Sequence, residues 1–151
     1  MPDILHLIKI RAPIERVYQA ITTAEGIRNW WTRDADLDEN IGGIGEFRFG
    51  AYATPSATRV SIQELSAPVR VAWKTLSSFR PEWSGTSVSF DLRQEGSNTV
   101  LLFAHRDFAQ AGETFALFNT GWAYYLVSLQ QYLETGKGAP SPDIDFARMI
   151  Q

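Results

Sequence analysis

His105 is the first of the few polar residues in this sequence that could do chemistry. It follows Leu101 and Phe103 at alternate positions of a strand-like run, so its side chain should point to the same interior face. An inward histidine is most simply a buried neutral ring bonded to backbone or water. It can also bind a ligand oxygen or exchange protons near neutral pH, which makes His105 the candidate acid–base residue.

Metal and nucleophile motifs are missing from the sequence. The chain has two histidines, His105 and His6 on the first predicted strand, and it has no cysteine. Two histidines without carboxylates at ligand spacing do not make a metal site, so we expect no metal and no cofactor. Gly42-Gly43-Ile44-Gly45 precedes a strand instead of a helix and therefore lacks the geometry that cradles phosphate.

Aromatic residues account for 13% of the chain, and many occupy positions that could line a cavity. Phe115, Phe118 and Trp122 share one stripe of a helical pattern over 113–135. Flat side chains that do not interdigitate leave room for planar or acyl ligands, although the same rings could fill the space as core. The predicted ligand-contacting set is Trp31, Phe47, Phe49, Trp73, Trp83, Phe90, Phe103, His105, Phe115, Phe118 and Trp122.

Two members of that set depend on their local context. Trp30 and Trp31 are adjacent at the end of a short helix, where both cannot face inward. One should anchor the helix, and the other should border the opening of the cavity. Trp83 lies in the connection 77–84, where it could form a lid over the cavity or rest on the surface.

The apolar pattern predicts an α+β domain with two short helices, a run of strands and one long helix. Pro13 suits the first turn of one short helix, and Thr23 is a candidate cap for the next. Gly136 and Gly138 should end the long helix over 113–135. We expect the segment 32–44 to be a loop, and strands at 4–11, 45–50, 58–65, 69–76, 85–93 and 99–105.

Composition excludes several classes of partner. A net charge of −3 and 14 scattered Lys and Arg residues argue against nucleic acid, because phosphate binding needs a clustered basic face. No run approaches the roughly 20 apolar residues of a membrane helix, so we expect no integral membrane segment. Met1-Pro2-Asp3 is not followed by the pattern of a signal peptide. A cytoplasmic protein is the expectation.

Several short motifs resemble one superfamily in their order and spacing. They are Ile10-Arg11-Ala12-Pro13 leading into Val17-Tyr18-Gln19-Ala20-Ile21, Trp30-Trp31, Gly42-Gly43 with Phe47, and Gly121-Trp122 with Leu126, Leu129, Leu133 and Gly136. This arrangement is similar to the SRPBCC (START-like) superfamily, in the AHA-type branch named after the activator of the heat-shock chaperone ATPase. The resemblance implies a helix-grip fold, with a curved antiparallel sheet of about six strands under a long C-terminal helix. It implies one domain over 1–151, with its core at 4–138 and a tail at 139–151.

The resemblance implies binding of a small, mostly hydrophobic molecule, such as a lipid, an aromatic or a polyketide-like compound, in a cavity between the long helix and the sheet. A second hypothesis is a cyclase or dehydratase in which His105 is the acid–base residue and Arg59 steadies an enolate. A third is a co-chaperone-like protein-interaction module or a homodimer, because Tyr124 and Val127 interrupt the polar back of the long helix. Chaperone binding stays possible but has no support in the sequence, because activators of that type use a separate N-terminal domain.

Overall fold

A curved sheet and one long helix form the frame that positions the candidate residues. The computed structural model describes residues 2–49 and 57–143. The helices are α1 Ile14–Thr22, α2 Ala24–Trp30 and α3 Glu113–Thr135, and a 3-10 turn spans Pro81–Trp83. The strands are β1 Ile4–Ile10, β2 Asp34–Leu37, β3 Ile44–Arg48, β4 Thr58–Ser66, β5 Arg70–Ser77, β6 Ser87–Glu95 and β7 Asn98–Arg106.

The seven strands form one antiparallel sheet in the order β1-β7-β6-β5-β4-β3-β2. Buried and exposed residues alternate along most strands, because one face packs on the helices and the other meets solvent. Leu101, Phe103 and His105 all lie on the buried face of β7, as the alternation predicts. The predicted α+β helix-grip fold is confirmed.

The strand β2 lies inside the segment 32–44, which the sequence pattern predicts as a loop. Two of its four residues are aspartates, which are depleted in strands, so its composition hides it. Asp34 and Asp36 carboxylates lie 3.0 and 3.2 Å from Nη1 of Arg48 on β3. This edge strand is paired with β3 along its whole length, with Ala35 buried and both aspartates on the solvent side. The predicted loop is wrong at Asp34–Leu37, and seven strands replace the six expected.

The helix α3 begins and ends where the apolar stripe and the glycines predict. Its C-cap Gly136 has φ +87°, a left-handed conformation that favours glycine, and its N–H donates to Tyr132 O at 2.8 Å. Leu126, Leu129 and Leu133 are buried in the core. The C-terminal half of α3 is therefore ordinary packing, which leaves its first half as the region of interest.

The short helices hold one side of the cavity in place. Thr23 caps α2, because its Oγ1 accepts a hydrogen bond from Gly26 N–H at 3.0 Å. Trp30 is fully buried and donates its indole Nε1–H to Ala20 O at 2.8 Å, which ties α2 to α1. The predicted cap and the predicted anchoring tryptophan are both observed.

Residues 139–143, the start of the predicted tail, pack against the end of α2. Ser141 N–H donates to Trp31 O at 2.8 Å, and Arg33 N–H donates to Ser141 O at 3.0 Å. Ser128 Oγ of α3 donates to Trp30 O at 2.8 Å and accepts from Ala139 N–H at 2.7 Å. This part of the tail fixes α2 against α3, and residues 144–151 lie outside the described part of the chain.

Candidate functional site

A small apolar cavity lies between the first half of α3 and the connection from β5 to β6. Its volume of about 30 Å³ admits water but not an organic ligand, since ligand sites typically enclose roughly 300–1,000 Å³. Its walls are Trp31, Phe49, Phe79, Trp83, Leu117, Phe118, Gly121, Trp122 and Tyr125.

Aromatic rings occupy most of the space between the sheet and α3. The ring centroids of Trp83 and Phe118 are 4.4 Å apart, and those of Trp31 and Trp122 are 5.0 Å apart. These are contact distances for tilted and stacked rings. The aromatic residues therefore wall the cavity and also fill most of it in this conformation.

The connection 78–86 forms the outer wall of the cavity, and we call it the lid. Phe79 and Trp83 project from it onto Phe118, with ring centroids 6.3 and 4.4 Å away. The end of the lid is paired with β5, because Gly85 N–H donates to Thr75 O at 2.9 Å. The backbone hydrogen bonds of the 3-10 turn at Pro81–Trp83 stay within the lid. The aromatic side chains of the lid therefore provide much of its attachment to the rest of the domain.

Trp83 carries an unsatisfied polar atom into this wall. Its side chain is buried, and within residues 2–49 and 57–143 its indole Nε1–H has no hydrogen-bond acceptor. A buried donor without a partner costs about 1–3 kcal/mol. A ligand oxygen or a water molecule that met this N–H would remove that cost.

The eleven predicted contact residues divide into two groups. Trp31, Phe49, Trp83, Phe118 and Trp122 line the cavity. The other six do not line it: Phe47, Trp73, Phe90, Phe103, His105 and Phe115.

Most of the second group supports the walls from behind. Phe47 and Trp73 contact the ring of Trp31, at centroid distances of 4.6 and 5.8 Å. Phe103 contacts the ring of Trp122 at 4.4 Å. The inward direction of these side chains follows from strand alternation. Whether an inward side chain lines the cavity or lies behind a lining residue depends on how the sheet curves.

Four lining residues were not in the predicted set, and three of them share a signal in the sequence. Leu117, Gly121 and Tyr125 lie at i, i+4 and i+8 on α3, so they form one line along the helix. Gly121 in mid-helix marks that line, because glycine is unfavourable there without a packing reason. Phe79 had no comparable signal, since its place depends on the path of the lid.

Trp30 and Trp31 both face inward, which corrects the expectation that adjacent residues could not. The helix α2 ends at Trp30, and Trp31 is its C-cap. The two rings stack at a centroid distance of 6.0 Å, and each is nearly completely buried. The helix end therefore lets one tryptophan anchor the helix while the other forms the cavity wall.

His105 is completely buried, and both of its ring nitrogens are engaged. Trp122 donates its indole N–H to Nδ1 at 3.0 Å, and because an indole only donates, Nδ1 must be the unprotonated nitrogen. Nε2–H then donates to Thr86 Oγ1 at 2.7 Å, and that hydroxyl donates to Trp83 O. The hydrogen bonds assign one neutral tautomer and link α3 to the lid through β7.

Burial lowers the pKa of His105 to about 3. The ring is therefore neutral at physiological pH, and within the described structure it has no free nitrogen and no place on the cavity wall. Its partners are side chains, not the backbone or water that the sequence interpretation named. This geometry gives proton transfer by His105 no support, and it indicates that the residue positions Trp122 and Trp83.

Arg59 does not reach the cavity. Its side chain is about half exposed, and Nε lies 3.1 Å from Glu46 Oε1 on the neighbouring strand. Arg59 therefore occupies a solvated position on its strand, and the expectation that it could steady an enolate beside His105 is wrong. Tyr125, in contrast, lines the cavity, and burial raises its pKa to about 12, so its phenol stays neutral.

Metal and membrane features can be stated for the described ranges. Among residues 2–49 and 57–143, no group of three or more His, Asp and Glu side chains is arranged to hold a metal ion. None of the helices in the same part of the chain combines the length and the apolar character needed to cross a bilayer.

A long helix gripped by a curved antiparallel sheet, with an aromatic cavity under its first half, defines a START-like domain of the SRPBCC superfamily. Residues 11–134 match the family described as Activator of Hsp90 ATPase homolog 1-like protein. The chain belongs to this family. No curated protein matches it.

Solved structures agree with this assignment. The Aha1 dimer from Colwellia psychrerythraea, a solution structure, is 33% identical, with 91% of this chain and 100% of that chain covered and a TM-score of 0.81. CalU16 from Micromonospora echinospora is 21% identical, covering 89% and 77% of the two chains, with a TM-score of 0.68. DynU16, a putative protein in the dynemicin biosynthetic locus, is 20% identical, covering 90% and 48%, with a TM-score of 0.71. The last two resemble this chain in fold alone.

Proposed function

We propose that this protein binds a small, mostly apolar, flat molecule in the cavity between α3 and the lid. The observation that carries the proposal is a wall of aromatic rings that contains a buried donor, Trp83 Nε1–H, with no acceptor among residues 2–49 and 57–143. Ligand sites combine apolar walls with a few polar groups that fix orientation. A ligand oxygen accepting from Trp83 would supply the missing partner.

Binding requires the lid to move, because a cavity of about 30 Å³ cannot hold an organic ligand. Outward rotation of Phe79 and Trp83 would open the space above Phe118, while Gly85 and Thr75 keep the end of the lid in the sheet. The ligand rings would then replace the stacking that the lid provides in the closed state. The aromatic contacts that are lost when the lid opens would be replaced by aromatic contacts with the ligand, which makes opening on binding feasible.

The first experiment is native mass spectrometry of the freshly purified protein, followed by solvent extraction of any bound molecule. A defined co-purifying compound that is flat, mostly apolar and carries an oxygen acceptor is the expected result. It would identify the ligand class directly.

Titration with Nile red, an uncharged flat dye with a carbonyl acceptor, tests the location. Leu117 is half-buried on the cavity wall, so Leu117→Trp should obstruct the site and raise the dye Kd at least about tenfold. Ala116→Trp, one residue away on the exposed side of α3, adds the same bulk to solvent and should leave the Kd unchanged. Equal binding by both variants would place the dye elsewhere and contradict the cavity assignment.

We also propose that the protein forms a homodimer. The support is the solution structure of a dimer for the 33% identical chain from Colwellia psychrerythraea. Sedimentation equilibrium over a wide range of protein concentration measures the assembly state. A molecular mass that stays at 17.0 kDa at the highest concentrations would overturn this proposal.

A further inference from the structure

The strand β1 forms one edge of the sheet, and part of that edge is open. Lys9 O accepts from Gln130 Nε2 of α3 at 2.8 Å, so the backbone groups of Lys9 point away from β7. Antiparallel pairing alternates, and the backbone groups of Leu5 and Leu7 must therefore point to the same outer side. Among the described residues, no group bonds to them there. The free edge is the segment around Leu5 and Leu7.

The side chains on this free edge are apolar and exposed. Leu5 and Leu7 are 54% and 63% exposed, and Leu102, which pairs with Leu7, is 40% exposed. Natural edge strands are usually protected by charges, proline or bulges. The segment from Ile4 to Ile8 has none of these, so this edge has the properties of an interface.

The sequence of the edge is self-complementary when a second copy runs antiparallel to it. Residues 3–9 read Asp-Ile-Leu-His-Leu-Ile-Lys, a palindrome in its apolar positions with opposite charges at its ends. Pairing about His6 would place Leu5 opposite Leu7 of the partner subunit. The same register would place Asp3 opposite Lys9 of the partner subunit.

We propose that two copies of this chain pair through β1, antiparallel and centred on His6, to form one continuous sheet across a two-fold axis. This interface deepens the homodimer proposed above and rests on it. The Leu5 and Leu7 pairs of the two copies would exchange four backbone hydrogen bonds, because their free groups face outward. A two-fold axis requires a self-complementary surface, and the 3–9 segment has one.

The charges at the two ends of the segment favour the same register. Lys9 Nζ lies 2.9 Å from Glu95 Oε1, and Arg106 Nε lies 3.5 Å from Asp3 Oδ2. Bringing Asp3 next to Lys9 of the partner subunit joins these pairs into one row of alternating charge. The row runs from Arg106 to Asp3, and then to Lys9 and Glu95 of the partner subunit. A parallel arrangement would instead bring like charges together.

The groove on the inner side of β1 lies next to the proposed axis. His6 lines it together with Tyr124 and Val127 of α3, which are 40% and 45% exposed. His6 Nε2 is buried and has no hydrogen-bond partner among the described residues. Directly opposed residues of a non-hydrogen-bonded pair have Cα atoms about 4.5 Å apart, so the two His6 rings would meet at the axis.

Charge insertion at the edge is the first test. Leu7→Lys should raise the dimer dissociation constant at least about tenfold, measured by sedimentation equilibrium, because two leucines leave the interface. Leu76→Lys is the matched control, since Leu76 is 47% exposed on β5, away from β1 in the sheet order. Equal dissociation constants for both variants and the parent protein would overturn the β1 interface.

Charge reversal tests the register. Lys9→Asp should weaken the dimer at least about threefold at low salt, because it opposes two carboxylates at each end of the interface. The double variant D3K/K9D restores opposite charges across the axis but places like charges beside Glu95 and Arg106 within each subunit, so it should recover part of the lost affinity. A double variant that dimerises more weakly than Lys9→Asp would contradict this pairing.

Cross-linking tests the axis directly, because the chain has no cysteine. His6→Cys should give a disulfide-linked dimer on mild oxidation, since the two thiols would face each other across the axis. Ile8→Cys, on the same face, would place its thiols about 14 Å apart and should stay unlinked. A dimer that forms without these effects refutes the β1 interface alone, whereas a chain that never dimerises refutes both proposals.

Discussion

Lowering the pH should destabilise this protein through His105, whose ring is buried and neutral in the folded chain. Burial lowers the pKa of His105 from its ordinary 6.5 to about 3, and unfolding returns the ring to water. Between these values the unfolded chain binds a proton that the native chain does not. Stability is therefore unaffected by this group above about pH 6.5 and falls as the pH is lowered toward 3.

The size of the effect follows from the two pKa values. Each pH unit inside this window removes up to about 1.4 kcal/mol of unfolding free energy. From about pH 7.5 to about pH 5, the loss through His105 is about 2 kcal/mol. Glu64 and Glu95 have pKa values below the ordinary 4.5, because Ser66 and Arg70 bond to the first and Lys9 to the second. Their stabilisation is lost only at lower pH, outside this range.

Urea unfolding followed by tryptophan fluorescence at several pH values measures this loss. His105→Gln is the matched variant, because its amide retains one donor and one acceptor toward Thr86 and Trp122 but does not titrate. We expect the variant to be less stable at neutral pH and to lose about 2 kcal/mol less on acidification.

Parallel curves for the two proteins would refute the reasoning. They would mean that His105 is protonated in the native state or accessible to water, and the assigned neutral tautomer would be wrong. The urea m-value should be the same for both proteins, because a change in m would indicate altered compactness instead of a titration effect.

Two further predictions concern the supports of the site. Ser128→Ala should cost about 1–3 kcal/mol, because it leaves the carbonyl of Trp30 and the N–H of Ala139 without their shared partner; Thr135→Ala, an exposed threonine on the same helix, should cost less in the same denaturation assay. Gly136→Ala should lower stability by about 1–2 kcal/mol, because φ is +87° there, whereas Gly112→Ala at φ −96° should cost less by thermal melting, since only the N-cap preference of α3 is affected. Equal effects within either pair would contradict its explanation.

Local sequence signals were strongest for α3. Its apolar stripe and the glycine at 136 predict the observed bounds, because helix periodicity and a left-handed cap are properties of neighbouring residues. The strand β2 could not be found in the same way. Its aspartates are stable in a strand because Arg48 of β3 lies beside them, and that proximity is a product of the fold.

Trp31 shows the limit of prediction from local sequence patterns within the candidate site. Periodicity places one of two adjacent tryptophans inside, but the helix ends between them and both are buried. The lid shows the same limit, since the contact of Phe79 with Phe118 joins residues that no short-range pattern relates.

The amino-acid sequence by itself determined the class of fold, the inward face of each main strand and the aromatic character of the interior, because alternation and helical period are encoded locally. The tertiary structure alone decided that the interior is nearly filled, that the Trp83 indole N–H meets no acceptor in the described part of the chain, and that His105 is held by Thr86 and Trp122. These outcomes depend on distances between residues far apart in the chain. Side-chain volume and hydrogen-bond direction determine the filling of the interior and the partners of Trp83 and His105 only once the sheet has curved around α3.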